Sequence, residues 1–431
     1  MKLTPEEQAM AQGQQGPAVA RAMDLLIRYG QALGAERLVP TRNVVASVNA
    51  TTPFMRDFAQ QRGGMDAVFS EFSLDSDETV KIPPFKTFTT HTQLGFSPDD
   101  PQRMGVDEST VHFYRQGEVF LTGLGLQATN TCTPYQVGNL PSRGEHCAWM
   151  ESSAVVYCNS VLGARTNTEG RESVGAAMVT GRIPYWGYHL SENRWATHAI
   201  EVQVSLHSTS DWGLLGYWVG DQVQEKVPVL TGVQSTPTLA ALKHFGASAS
   251  SSGGVEMYHI VGLTPEAPSL QEALGHRQAT EHLTFGLQEM RQTWEKINAT
   301  GLDDKVDYVM LGCPHYSLEQ LWEVGRMMQG RKVHPDCEMW IFTARAIKSI
   351  ADQNGTTRLL EEAGVRVLTD SCSAMSRAVP RGARVAAFDS AKQAHYLPAI
   401  AGVQAWFGTT AECVEAACTG RWQGRFQAGA A

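Results

Sequence analysis

Apolar residues recur at helical spacing near the amino terminus and gather into short runs near the carboxyl terminus. Val19, Met23, Leu26 and Ile27 share one helix face, and Gly30 and Gly34 punctuate its end. Residues 5–30 are therefore predicted to form an amphipathic helix. Thr4, Pro5 and Glu7 supply its start as N-cap, first helical residue and capping-box partner. In the last third the pattern changes. Val306–Leu311, Met339–Phe342, Val365–Leu368 and Val385–Phe388 are short apolar runs, each followed by polar residues, with helical stretches between them. Ser317 and Gln320 form a capping box after the first run, a helix reaches about Asp352 after the second, and Gly364 stops a short helix at Leu359–Ala363. Strand alternating with helix is the signature of a parallel α/β sheet.

The remaining stretches are less regular. Within residues 36–130 the strand-like pieces are Arg42–Val48, Thr79–Ile82 and Glu118–Thr122. The small-residue tract Gly246–Gly254, with Ser248, Ser250, Ser251 and Ser252 inside it, is predicted to be a loop between subdomains. Residues 132–188 are dense in glycine, serine and asparagine, so they either converge on a ligand or form hydrated turns. These shifts divide the chain into α/β subdomains at approximately 1–130, 131–300 and 301–422, with a tail at 423–431.

Composition narrows the function. The 431 residues suffice for two or three domains, and 42% hydrophobic with 18% charged residues excludes bulk disorder. A net charge of −9 without a basic stripe disfavours nucleic-acid binding. No apolar run approaches the roughly 20 residues of a membrane span. The first residues lead into a helix start rather than a signal peptide. Eight cysteines without a dense framework suit a reducing cytoplasm.

Three of those cysteines stand in turn-forming contexts: Cys132 before Thr133-Pro134, Cys313 before Pro314-His315, and Cys372 between Ser371 and Ser373. They read as presented rather than buried. Three thiolates from distant segments can hold an iron–sulfur cluster and leave one iron open to substrate; ordinary partly buried thiols are the alternative. Cys147, Cys158, Cys337, Cys413 and Cys418 read as structural. Ligands of open parallel sheets bind outside the carboxyl ends of the strands. Four successive strand ends here carry reactive residues: Cys313 with His315, Thr343 with Arg345, Cys372, and Ser390 with Lys392. An open iron is a Lewis acid suited to water elimination. Arg165, Arg345 and Lys392 are candidates to hold a carboxylate, and His146, His315 and His395 to give a proton to the departing hydroxyl. Glu145 and Glu151 read either as site members or as salt-bridge partners of Arg165. A cluster-sensing protein and a zinc-stabilised structural protein are the rivals outside catalysis.

At these residues the chain resembles the large subunit of aconitase X, a branch of the aconitase superfamily. The likeness lies in Cys132-Thr133-Pro134-Tyr135, Gly144-Glu145-His146, Glu151-Ser152-Ser153-Ala154, Asn159 through Asn167, Gly312-Cys313-Pro314-His315, Ser390-Ala391-Lys392 and Thr419-Gly420-Arg421-Trp422. The resemblance implies an aconitase-like multi-lobed α/β body with parallel βαβ sheets, lacking the swivelling small domain. It implies a dehydratase whose iron–sulfur cluster is held by Cys132, Cys313 and Cys372; two, three or four irons all remain open. The expected catalytic residues are His146, His315 and Lys392. The expected substrate-binding residues are Ser152, Arg165, Asn167, Arg345 and Ser390. A small subunit carrying the swivelling domain is the implied partner and supplies a serine base. Two substrates occur in the family, cis-3-hydroxy-L-proline and mevalonate 5-phosphate. The absence of a glycine-rich phosphate loop tilts the expectation to the first. Val45–Thr52 and Lys81–Asp100 depart from the family pattern, which leaves the substrate pocket open.

Overall fold

A computed structural model describes residues 1–50 and 52–427; Thr51 and residues 428–431 of the tail lie outside the described residues. Three all-parallel sheets follow one another along the chain. The first contains β2 (Asn43–Ala46), β3 (Phe88–His91), β4 (Leu126–Gln127) and β5 (Cys147–Trp149) in the order β4-β3-β2-β5. Beside it β1 (Leu38–Pro40) and β6 (Arg182–Pro184) form an antiparallel ribbon. The second sheet has β7 (His198–Val202), β8 (Pro228–Thr231), β9 (His259–Ile260) and β10 (Glu281–Phe285) in the order β10-β7-β8-β9. The third has β11 (Tyr308–Tyr316), β12 (Glu338–Thr343), β13 (Val365–Thr369), β14 (Val385–Phe388) and β15 (Gln404–Phe407) in the order β13-β12-β11-β14-β15. β5 places the first sheet's last strand beyond residue 130.

The third sheet follows the alternation of apolar runs closely, because β11, β12 and β14 are buried along nearly their whole length, with β13 and β15 partly open at the edges. Other elements differ from expectation for local reasons. Residues 5–30 form two helices, Pro5–Ala11 and Pro17–Ala32, because Gly13 and Gly16 turn the chain at φ of 79° and 97°. Glu118–Thr122 lies in the Glu108–Gly123 helix, capped by the Asp107 side chain; Val111, Tyr114 and Leu121 bury one face and Val119 faces solvent. Thr79–Ile82 is irregular, and side chains replace a sheet partner: Ser70 Oγ accepts from the Val80 amide and Asp66 Oδ1 from that of Ile82.

The tract Gly246–Gly254 is not a loop. It completes the Leu239–Gly253 helix, which Thr238 caps. Its small residues serve close packing against the Thr209–Val223 helix. A Cβ on Gly253 would stand 1.8 Å from the Gly220 carbonyl oxygen, and one on Gly216 2.3 Å from that of Phe245. Ser248, Ser251 and Ser252 return their hydroxyls to carbonyls four residues earlier, so no buried donor is stranded.

Candidate active site

The third sheet reverses its winding between β11 and β14, and such a switch point opens a crevice at the carboxyl ends. Cys313 arises there from an irregularity in β11. Leu311 pairs with Ile341 and Tyr316 with Thr343, so Gly312-Cys313-Pro314-His315 bulges out of the ladder. Gly312 makes this turn at φ 92°, where a Cβ would meet the Phe342 carbonyl at 2.1 Å. Cys372 follows β13 and precedes the short Ser373–Ser376 helix. Cys132 reaches the same place from the first domain, and His315 joins the three segments. Its amide donates to Cys132 Sγ at 3.3 Å, one ring nitrogen contacts Thr131 Oγ1 at 2.8 Å, and the other contacts the Ser371 carbonyl at 2.7 Å.

The three thiols are buried, not presented: Cys132, Cys313 and Cys372 are each less than a tenth exposed, and none is in a disulfide. Their turn residues fold inward at a domain junction rather than facing water. Burial raises all three thiol pKa values, that of Cys313 to about 12, and the neighbouring cysteines add to the rise at Cys132 and Cys313. Each sulfur meets a donor suited to a thiolate. These are the His315 amide for Cys132, the Ser390 hydroxyl for Cys313, and the amides of Ala374 and Met375 for Cys372. The donors fit three metal-ligating thiolates. No three His, Cys, Asp or Glu side chains among the described residues close to the spacing of a single-ion site.

A buried ion pair borders the thiols. Lys392 Nζ, in the first turn of the helix that Ser390 caps, lies 3.2 Å from Glu151 Oε1. Glu151 also accepts from Gln93 Nε2 at 3.0 Å and Ser153 Oγ at 2.9 Å. Burial alone would raise the Glu151 pKa, but Lys392 and these donors hold it below the ordinary value. Burial would lower that of Lys392, but Glu151 and the nearby thiols hold it above. Arg345 starts the helix after β12 and pairs with buried Asp370, whose carboxyl burial pushes up to about 6 against the pull of Arg345.

The whole chain has counterparts. Models described as the aconitase X first, second and third domains match residues 1–192, 196–295 and 306–419. The phosphomevalonate dehydratase large subunit of Methanocaldococcus jannaschii is 34% identical over 428 residues, covering 96% of this chain and 100% of that one. This chain belongs to the aconitase X family. It is a hydro-lyase, a dehydratase of that family. The cis-3-hydroxy-L-proline dehydratase of Hypocrea jecorina is 33% identical, with 97% of this aconitase X chain and 69% of that protein covered. The crystal structure of Thermococcus kodakaraensis aconitase X in its holo-form superposes with a TM-score of 0.79 at 28% identity, over 97% of this chain and all of that one. No helix among the described residues is long and apolar enough to cross a membrane.

The aconitase X chain brings Cys132, Cys313, Cys372, Ser390 and Lys392 together, with Arg345 beside Asp370 at the next strand end. Ser152 opens the helix after Glu151. Other expected residues go elsewhere. His146 stands at the entry to β5, opposite the end that leads to Glu151, with Nδ1 2.9 Å from His189 Nδ1. Arg165 donates to the His189 carbonyl and Ser191 Oγ, and Asn167 to the Trp186 carbonyl. These three therefore brace the end of the first domain. Arg165 is not the counter-ion of Glu151; Lys392 is. His395 is exposed and bonded to Tyr217. His315 is fully buried with both ring nitrogens engaged and its pKa lowered to about 4 by burial, so it positions the cysteine loops rather than giving a proton. The sequence did not place Lys243, Gln93 and Asp370 near the thiols, where they bond to His315, Glu151 and Arg345. Lys243 adjoins the tract read as a loop, and nothing local to Gln93 or Asp370 signals the distant partners.

Proposed function

We propose that this chain is the cluster-bearing large subunit of a phosphomevalonate dehydratase, with Cys132, Cys313 and Cys372 as ligands of an iron–sulfur cluster. The convergence of three buried thiols, each with its own donor, beside the Glu151–Lys392 pair carries the reading. When bound, such a cluster supplies an open iron that polarises a substrate hydroxyl toward departure as water. Lys392, steadied by Glu151, binds the substrate's carboxylate at the carboxyl ends of β11 and β14. Arg345, half-exposed at a helix start, receives a second anionic group. The α-proton goes to a residue of a small-subunit partner, as the name "large subunit" among the relatives suggests. Zinc on three cysteines and His315 is disfavoured because both ring nitrogens of that histidine are committed.

Five of the seven curated relatives are phosphomevalonate dehydratase large subunits, which supports that substrate over the hydroxyproline expected from sequence. The two cis-3-hydroxy-L-proline dehydratases, both 33% identical, support the second reading. Anaerobic co-expression with a small subunit, visible spectroscopy and water-elimination assays on both substrates test the proposal. Wild-type protein should be brown and the Cys132→Ser variant colourless. Full cluster absorbance in that variant, or turnover of hydroxyproline alone, refutes the corresponding part.

A further inference from the structure

One buried cation beside the thiols has no carboxylate of its own. Lys243 lies on the Leu239–Gly253 helix of the second domain and is 2% exposed. Its Nζ donates to the His315 carbonyl at 2.8 Å and to Gln320 Oε1 at 2.6 Å. Both acceptors are neutral. No carboxylate among the described residues forms an ion pair with it; the acidic groups whose field reaches it are Cys132, Asp389 and Cys313. The Asp389 carboxyl accepts the hydroxyls of Tyr316 and Thr410 on Oδ2, and its other oxygen has no hydrogen-bond partner, Lys243 included. A buried ammonium is costly unless opposite charge compensates it. The residue it grips, His315, is the one whose amide and ring touch the segments of Cys132 and Cys372 and which stands two residues after Cys313.

We infer that Lys243 is a positioning residue of the cysteine site, a buried ammonium from the second domain that balances the thiolates of Cys132 and Cys313 while its N–H groups hold the His315 loop. The inference rests on the proposal that these thiols ligate a cluster. It assigns the second domain a share in a site whose ligands come only from the first and third. Removing the charge should therefore matter when the thiolates are loaded and not when they are protonated, whereas a mere structural strut matters equally in both states.

The experiment is a cycle with wild type, Lys243→Met and Lys243→Gln, each with iron loaded and removed. The Gln side chain keeps a donor for the His315 carbonyl and loses the charge. Iron-free Lys243→Gln should melt within a degree or two of wild type, and iron-free Lys243→Met lower, because Met strands the His315 carbonyl and Gln320 Oε1. Loaded variants should yield iron to a chelator roughly tenfold faster than wild type, and their reduction potential should move negative. If Lys243→Gln holds iron as long as wild type, or both variants lose equal stability loaded and iron-free, the inference is overturned. If Lys243→Met does not fold, the Gln variant alone decides. Wild-type protein that binds no iron overturns the cluster proposal instead, an outcome read before either variant is compared.

Discussion

Substituting Glu151 by Gln removes the charge opposite Lys392 and keeps the shape. At the observed 3.2 Å the two charges attract by about 5 kcal/mol at an effective dielectric of 20. Both side chains are less than a fifth exposed, so solvent screens little of this. Breaking a buried pair from one side costs about 3–5 kcal/mol, because the other charge stays buried and alone. Glu151→Gln should lose about 3 kcal/mol, at the low end, because the remaining Gln oxygen can still accept from Ser153 while its new amide N–H group faces Gln93, whose amide can turn to accept. Lys392→Met should lose a similar amount. The double variant should recover at least about 2 kcal/mol relative to the sum of the singles. Urea unfolding of iron-free protein, followed by tryptophan fluorescence, measures all four corners. The pH window follows from the directions of the shifts. Glu151 is held low, so its share is in place above the ordinary glutamate pKa and lost as pH falls through the lowered one. Lys392 is held high, so its share is in place below the ordinary lysine pKa and lost as pH rises through the raised one. Additive singles, or singles within about 0.5 kcal/mol of wild type, refute the coupling argument.

Three further outcomes are expected. His91, His189 and His244 are fully buried and held neutral, with pKa values lowered by burial to about 4, 3 and 3. Stability should therefore be intact above the ordinary histidine value and decline as pH falls below it, by about 4 kcal/mol in total at pH 5.5; a flat urea midpoint between pH 7 and 5.5 contradicts this. Gly253→Ala should cost about 3 kcal/mol by overpacking the two central helices of the second domain, seen as a lowered urea midpoint; an unchanged midpoint removes the close-packing explanation. Arg345→Met should lower kcat/KM by roughly 30-fold, equivalent to about 2 kcal/mol, mainly through KM; equal activity in the reconstituted enzyme removes Arg345 from substrate binding.

The third domain was the most legible part of the chain. Met339–Phe342 and Val385–Phe388 are strands buried on both faces, and a doubly buried strand writes itself as a continuous apolar run. The shared location of Cys313, Ser390 and Lys392 could be anticipated because strand ends are a local signal. The Leu239–Gly253 helix was misread because glycine and serine usually mean a turn, and their use as a contact surface depends on a partner helix remote in sequence. The positions of His146 and Arg165 relative to the thiols were not legible for a related reason. Their motifs are polar and compact, but β5 runs between them and Glu151, and only the sheet fixes which of its ends meets the thiols. Exposure of the cysteines was also misjudged, since a turn at a domain junction has the same composition as a turn in water.

Cys132 belongs to the first domain, and its two companions to the third, with the whole second domain between them. About 240 residues separate Cys132 from Cys372 along the chain. At usual rates of synthesis the first thiol waits roughly 10–50 s for the last to be made. During that interval the first domain can fold, yet its cysteine loop lacks the His315 amide and the walls that later enclose it. On the proposed cluster site, maturation would have an imposed order: translation through the third domain, docking, then metal loading. Cys132 is the thiol that spends that interval most open to oxidants.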